Sequence, residues 1–383
     1  MGMTFQSMTR KRPVAGATAV TLAGRPVRLL DRARIYACGI TPYEVTHLGH
    51  AATFVWVDTL RRVLRVLGVE PIVCRNVTDV DDVLVEAARQ TGAPYDQLAA
   101  FQQFNFEGDM AALGIRAPDF EPRAHSYVDA VLRLAAALLD AGVAYERGGG
   151  VYFRGERVAE RAGLGEEEAL RLATEYGGRP DDPAKEHPLD VAVWQPGEPG
   201  YPAWDSPWGP GRPGWHAECV AMSESVFGVG VDFHAGGADL RFPHHAYHAA
   251  MAEALSGVTP YARAWLHVGT VTVDGVKMAK SVGNLVLLED LLARYPASVV
   301  RLAIIDRPWA RSWDYTPAVL DAAASRLERL HRAAGRPIEA GDADVERIRA
   351  LLADDLGVSA ALDVAIEAGG GAARLLTAAL GLT

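Results

Sequence analysis

An apolar run, a helical run and a second apolar run follow one another near the N-terminus, and that succession restricts the chain more than anything else in it. Residues 33–40, ARIYACGI, read as a buried strand ending in a Gly-containing turn. Residues 51–67, AATFVWVDTLRRVLRVL, carry apolar side chains at helical spacing, and Gly68 closes the helix. Residues 70–77, EPIVCRNV, read as a second strand. Strand, helix, strand predicts a parallel βαβ unit, because a second strand returns parallel to the first only through a crossover. The expected fold class is α/β, with a Rossmann-like doubly wound parallel sheet. Ligands of such sheets sit beyond the carboxyl ends of the strands. Cys38, Thr41 and the stretch THLGH (46–50) fall there.

The remainder extends that unit. Residues 97–175 read as mainly helical, interrupted by a hairpin around YERGGGVYFR. The Gly- and Pro-rich stretch 177–213 is expected to be a loop or lid rather than a core element. A helix over 215–227, a strand at VDFHAGG, a helix at FPHHAYHAAMAEAL and a strand pair around ARAWLHVGTVTVDGVKM then resume the sheet. From 287 onward the chain reads as helical. At 383 residues it exceeds what one core usually supports. The expected division is a leader and edge (1–30), the first half of the catalytic domain (31–96), a mostly helical insertion (97–189), the second half (190–290) and a C-terminal helical domain (291–383).

Several classes are disfavoured. A net charge of −10 argues against a protein whose main partner is nucleic acid. Three scattered cysteines do not make a disulfide framework, which implies a reducing, cytoplasmic location. No apolar run approaches ~18 residues, and MGMTFQSMTRKRP has no apolar stretch after its basic residues, so neither a membrane anchor nor a secretory signal is expected. The helical tail shows no strong heptad seam, which leaves a monomer or weak dimer.

THLGH could bind metal, move protons or handle phosphate. At a helix start, free N–H groups and a partial positive charge favour phosphate; His47 and His50 add donors and Gly49 permits close approach. In VDGVKMAKSVGN (273–284), Lys277 and Lys280 can reach pyrophosphate oxygens, although paired lysines also occur as plain basic turns. Cys38, Cys219 of GWHAEC, and His244, His245 and His248 of FPHHAYH are Cys and His at separations that can converge on one zinc. Cys74, inside an apolar strand, reads as a small buried hydrophobe.

Together THLGH and KMAKS resemble the HIGH and KMSKS signatures of class I aminoacyl-tRNA synthetases, in matching order and separation. The cysteines and histidines resemble those of the cysteine-activating members, in which zinc recognises the substrate thiolate. That resemblance implies Cys38, Cys219 and His244 as zinc ligands. It implies Thr41, Thr78, Trp215 and Asp239 around the cysteinyl group, and Gly236, Gly237 and the KMAKS loop with Ser281 against the adenosine. Asp239 is then a partner for the substrate ammonium or, alternatively, a helix N-cap. CGITPYEVTHLGHA (38–51) and NVTDVDD (76–82) are closest to the mycothiol-pathway cysteine ligases. The stretch after Ser281 is too short for the anticodon module of a cysteinyl-tRNA synthetase. The expected reaction joins L-cysteine and ATP, with Mg²⁺, into cysteinyl-adenylate and transfers cysteine to the amine of glucosaminyl-inositol. His47, His50, Lys277 and Lys280 would carry the phosphate chemistry. Alternatives are a paralogue using another amine, a truncated synthetase, or a non-catalytic module. Two departures stand out: Ala279 replaces the usual Ser of KMSKS, and His248 occupies a position where synthetases carry an acidic zinc ligand, so it is a further ligand or a solvent-facing histidine.

Overall fold

The computed structural model describes residues 18–43, 45–280 and 282–383. A hairpin of β1 (Thr18–Leu22) and β2 (Arg25–Leu29) leads into β3 (Arg32–Ile40). α1 (Leu48–Val66) crosses over to β4 (Glu70–Val77), which pairs parallel to β3. Next come α2 (Asp82–Thr91), α3 (Tyr95–Ala112), α4 (Val128–Asp140), β5 (Ala144–Arg147), β6 (Gly150–Phe153), α5 (Glu156–Arg161) and α6 (Glu166–Glu175). β7 (Val191–Pro196) and β8 (Gly211–Pro213) precede α7 (Trp215–Phe227), β9 (Val231–Gly237), α8 (His244–Ser256) and β10 (Ala262–Val268). The short strands β11 (Val271–Val273), β12 (Val276–Lys277) and β13 (Trp313–Asp314) form a small sheet of their own. Helices α9 (Leu288–Leu292), α10 (Ala297–Ile305), α11 (Pro317–Ala334), α12 (Asp342–Ala353), α13 (Val358–Ala368) and α14 (Gly370–Leu380) complete the chain.

The main sheet runs β10–β9–β3–β4, parallel throughout. Its strands are covered on both faces, and successive side chains go to opposite cores. Ile35, Ala37, Val73, Phe233, Ala235 and Leu266 join α1 and the C-terminal helices in one apolar cluster. Tyr36, Cys38, Cys74 and Trp265 join α4, α7 and α8 in the other. The fold is therefore the α/β doubly wound class expected. The first cluster also holds a charged anchor: Arg301 lies 2.7 Å from Asp58, both about 1% exposed, and donates to the carbonyls of Leu113 and Leu380. Asp58 takes a second ion pair from Arg62 at 2.6 Å. Burying these charges is tolerable because the Asp58 carboxylate and both terminal nitrogens of Arg301 are paired; Arg301 Nε has no partner among the described residues.

One expectation is corrected. Residues 177–213 are not merely a loop: β7 and β8 complete a four-stranded antiparallel sheet, β5–β6–β7–β8, and Val193 and Trp194 are fully buried. Glycine and proline there mark turns between short strands, and their density hid the strands. Gly211 shows the trade: a Cβ on it would stand 2.4 Å from Trp194 Nε1, so the glycine makes room for the buried indole. This sheet also runs across residue 190, where the sequence reading ended its insertion.

Candidate active site

The carboxyl ends of β3, β9 and β10 open into a cavity of about 760 Å³. His47 is the N-cap of α1, and its Nδ1 accepts from the Gly49 N–H at 3.1 Å. With Nδ1 occupied as an acceptor, the neutral ring carries its proton on Nε2, a donor free for a ligand. A Cβ on Gly49 would lie 2.8 Å from His47 Cε1, so this glycine makes room for the folded-back imidazole as well as for a ligand. The His47 and His50 rings lie against each other, tilted by 31°, with centroids 3.9 Å apart. Burial, then nearby Lys277, lowers His47 to about 4; burial, then His47, lowers His50 to about 3. Both are neutral donors at ordinary pH, next to the positive end of α1.

Lys277 and Lys280 line the same cavity. Lys277 Nζ lies 2.7 Å from Asp239 Oδ2 and 3.4 Å from the Tyr176 hydroxyl. Burial works against its ammonium, but the Asp239 carboxylate outweighs that and holds its pKa above the ordinary lysine value. Asp239 sits in a short 3₁₀ turn (Ala238–Arg241) and makes this ion pair. The KMAKS loop is pinned by Asn284, whose Oδ1 accepts from the Ala279 N–H at 2.9 Å and whose amide reaches the carbonyls of Val276 and Lys277. Ser281 lies outside the described residues.

Deeper in, Cys38, Cys219 and His244 bring one donor atom each to within 4.8 Å of one another, and all three are buried. Burial, then Cys219 beside it, pushes the Cys38 thiol well above its ordinary pKa. The Cys38 thiol is thus costly to ionise alone, and a thiophilic divalent cation is what such a set of sulfur and imidazole donors fits. His216 Nδ1 meets His244 Nδ1 at 2.9 Å, and Trp215 stacks on the His244 ring with centroids 4.2 Å apart, fixing its orientation. Thr41, Thr78, Trp215 and Gly237 line the cavity around this set, and the hydroxyls of Thr41 and Thr78 are 2.7 Å apart. Gly236 packs against His245 instead, with room there for no Cβ.

His248 is not solvent-facing: it is fully buried. Its ring edges meet Tyr36, His234 and Tyr261, and neither nitrogen has a hydrogen-bond partner among the described residues. It belongs to neither group of converging donors among the described residues. The second group is Cys38 with His234 and His245. His245 Nε2 and His234 Nε2 lie 3.2 and 3.4 Å from Cys38 Sγ, and His245 Nδ1 reaches His267 Nε2 at 2.9 Å. His234, His267, Tyr176 and Asn284 escape a reading of short motifs. His234 left one signal, a lone polar ring inside the apolar strand VDFHAGG.

The sequence matches the family described as tRNA synthetases class I (C) catalytic domain over residues 27–325. It is 42% identical over 377 residues to an L-cysteine:1D-myo-inositol 2-amino-2-deoxy-alpha-D-glucopyranoside ligase of Streptomyces griseus, covering 91% of this chain and 90% of that one. A ligase of the same name from Kineococcus radiotolerans is 44% identical, covering 88% and 84%. Among solved structures, methionyl-tRNA synthetase of Mycobacterium tuberculosis with methionyl-adenylate superposes with a TM-score of 0.63 at 16% identity, over 91% of this chain and 84% of that one. The Agrobacterium radiobacter leucyl-tRNA synthetase in a ternary complex gives 0.61 at 12%, over 92% and 83%. These two likenesses speak for the fold.

Proposed function

The chain belongs to the family of L-cysteine:1D-myo-inositol 2-amino-2-deoxy-alpha-D-glucopyranoside ligases, built on the class I synthetase catalytic domain, and on that premise we propose the roles of its residues. It is an ATP-dependent ligase of the mycothiol pathway: cysteine is activated as cysteinyl-adenylate and then passed to the amine of glucosaminyl-inositol as an amide. The observation that carries the assignment is the meeting, in one cavity, of the His47–His50 and Lys277–Lys280 pairs with Cys38, Cys219 and His244.

Cys38, Cys219 and His244 hold zinc. The ion would offer a position for the substrate sulfur, separating cysteine from serine because an alcohol is a poor ligand for it. Trp215 and the Thr41–Thr78 hydroxyl pair enclose the cysteinyl group. Asp239 holds the substrate ammonium, a position now filled by Lys277 Nζ, so substrate binding sets that lysine free to turn toward phosphate. His47 and His50, as neutral N–H donors, and Lys277 and Lys280, as cations, stabilise charge developing on the α-phosphate and on pyrophosphate. One well-aimed donor of this kind is worth about 3 kcal/mol. Gly237 gives the nucleotide room, and Mg²⁺ accompanies the ATP.

The test is a product assay with zinc-loaded protein, ATP and cysteine, offering glucosaminyl-inositol and cysteine tRNA in parallel with mass detection. Amide on glucosaminyl-inositol, with AMP released and no charged tRNA, is the expected result. Charged tRNA without amide would overturn the reading.

A further inference from the structure

Tyr176 and Trp215 line two cavities. Besides the one that holds the Cys and His groups, a second of about 780 Å³ opens between the start of α2, the 177–185 segment, β7 and the first turn of α7. Its wall carries more acidic than basic residues, with Arg179 and Lys185 as its cations, and part of the acidic charge is ion-paired. Asp82 is met by the fully buried Arg212 at 2.8 Å, which also reaches Glu198 at 3.4 Å. Asp181 and Asp182 lie on the 177–185 segment, and two further carboxyl groups stand on the helix starts. Glu218, in the first turn of α7, is 1% exposed, and its Oε2 has no hydrogen-bond partner. Asp81, the N-cap of α2, accepts from the Thr41 hydroxyl at 3.3 Å through Oδ2. Thr41 lines the first cavity and Asp81 the second, so this hydrogen bond joins the two.

A buried carboxyl oxygen without a partner is costly, and native proteins keep such atoms where a ligand or water completes them. A roomy polar cavity with incompletely hydrogen-bonded carboxyl groups fits a hydroxyl-rich amine, taken up as the free base. Resting on the reaction assigned above, we propose that the second cavity is the acceptor site: it takes a polyhydroxylated primary amine anchored on Glu218, and Asp81 receives the proton that the amine loses. The amine enters past Trp215, and the nitrogen lone pair forms the C–N bond at the cysteinyl carbonyl carbon. The bond from that carbon to the phosphate-linked oxygen breaks, and AMP leaves with the electron pair. The nitrogen sheds one proton, which Asp81 takes directly or through the Thr41 hydroxyl. The activating and acylating halves of the reaction then occupy opposite sides of one indole.

The test compares wild type with Asp81→Asn, Asp81→Glu and Glu218→Gln, as full-length zinc-loaded protein. Each is assayed for cysteine-dependent ATP–pyrophosphate exchange, which needs no acceptor, and for single-turnover transfer from cysteinyl-adenylate to glucosaminyl-inositol. Asp81→Asn should lower the ratio of transfer to exchange about 10²-fold, the scale of a lost general base, with partial recovery in Asp81→Glu. Glu218→Gln should raise the acceptor concentration for half-maximal transfer about tenfold, the scale of a lost buried hydrogen bond, without changing the response to hydroxylamine. Ratios within twofold of wild type, or exchange and transfer falling together, would overturn the proposal. Wild-type protein that forms adenylate but no amide on glucosaminyl-inositol would sink the acceptor named above instead. Asp81 is then judged on cysteine hydroxamate formed from hydroxylamine, which sheds the same proton. A hundredfold loss in Asp81→Asn upholds the proposal and an unchanged rate ends it.

Discussion

On one face of the parallel sheet, Ile35, Ala37, Val73 and Phe233 meet Trp56 and Leu60 of α1 and the helices of the C-terminus, and the charge buried there is the paired network of Asp58, Arg62 and Arg301. On the other face, Tyr36, His234 and Trp265 stand side by side across β3, β9 and β10, and Cys38 touches two imidazoles. Both faces bury most of the side chains named. The first is stabilised by area removed from water; the second keeps buried imidazoles whose protonation the fold opposes. The apolar packing of α1 and the sulfur and imidazole donors around Cys38 are thus separated by the thickness of one sheet, and substitutions on the two sides should fail in different ways.

The largest effect belongs to the chemical side. Cys38→Ala should leave the thermal transition within a few degrees of wild type while cysteine-dependent pyrophosphate exchange falls by roughly 10³-fold, a loss of about 4 kcal/mol of transition-state stabilisation. Bound zinc, read by metal analysis, should fall with it. An unfolded Cys38→Ala protein would show that the two faces are not separable. The mirror experiment is Phe233→Ala, which empties a fully buried site on the apolar face. It should cost about 3–5 kcal/mol in denaturant unfolding. Pyrophosphate exchange per folded molecule should stay near wild type, and a specific loss of turnover would break the comparison.

The smallest effect sharpens it. Burial lowers His47 to about 4, and His50 and His248 to about 3, each from an unfolded value near 6.5. Below pH 6.5 the unfolded chain binds protons that the native chain refuses, so stability is full above that value and falls as pH drops toward the native pKa values. Each such histidine contributes a slope of up to about 1.4 kcal/mol per pH unit. His248→Phe should remove one proton's share of that slope and leave stability at pH 7.5 unchanged or about 1 kcal/mol higher, because it deletes unpartnered nitrogens. A fall in zinc affinity in this variant would instead identify His248 as a metal ligand.

The apolar face was legible in advance. The strand–helix–strand run placed β3, α1 and β4 within a few residues, because period-two and period-3.6 burial write themselves directly into sequence. α1 begins three residues before the apolar pattern suggests, since His47, not a serine or aspartate, is the cap. The site was legible only where motifs gather residues locally, as in THLGH and KMAKS. The ion pair of Lys277 with Asp239 and the contacts of Cys38 with His234 and His245 join residues far apart in the chain, and no local pattern records such a meeting. β7 was missed for a different reason: its strand signal is six residues long and lies between turn formers.

The alternation along β3 has a wider consequence. Ile35 and Ala37 join the apolar cluster beside α1, whereas Tyr36 and Cys38 join the cluster beside α7 and α8 and Cys38 also lines the pocket, so neighbouring positions in one strand answer to separate demands. A new side chain at position 38 alters the pocket while Ile35 and Ala37 keep their places in the opposite cluster. A scaffold wired in this way lends itself to diversification: its specificity can be revised one pocket position at a time, while its foldedness is underwritten from the opposite side.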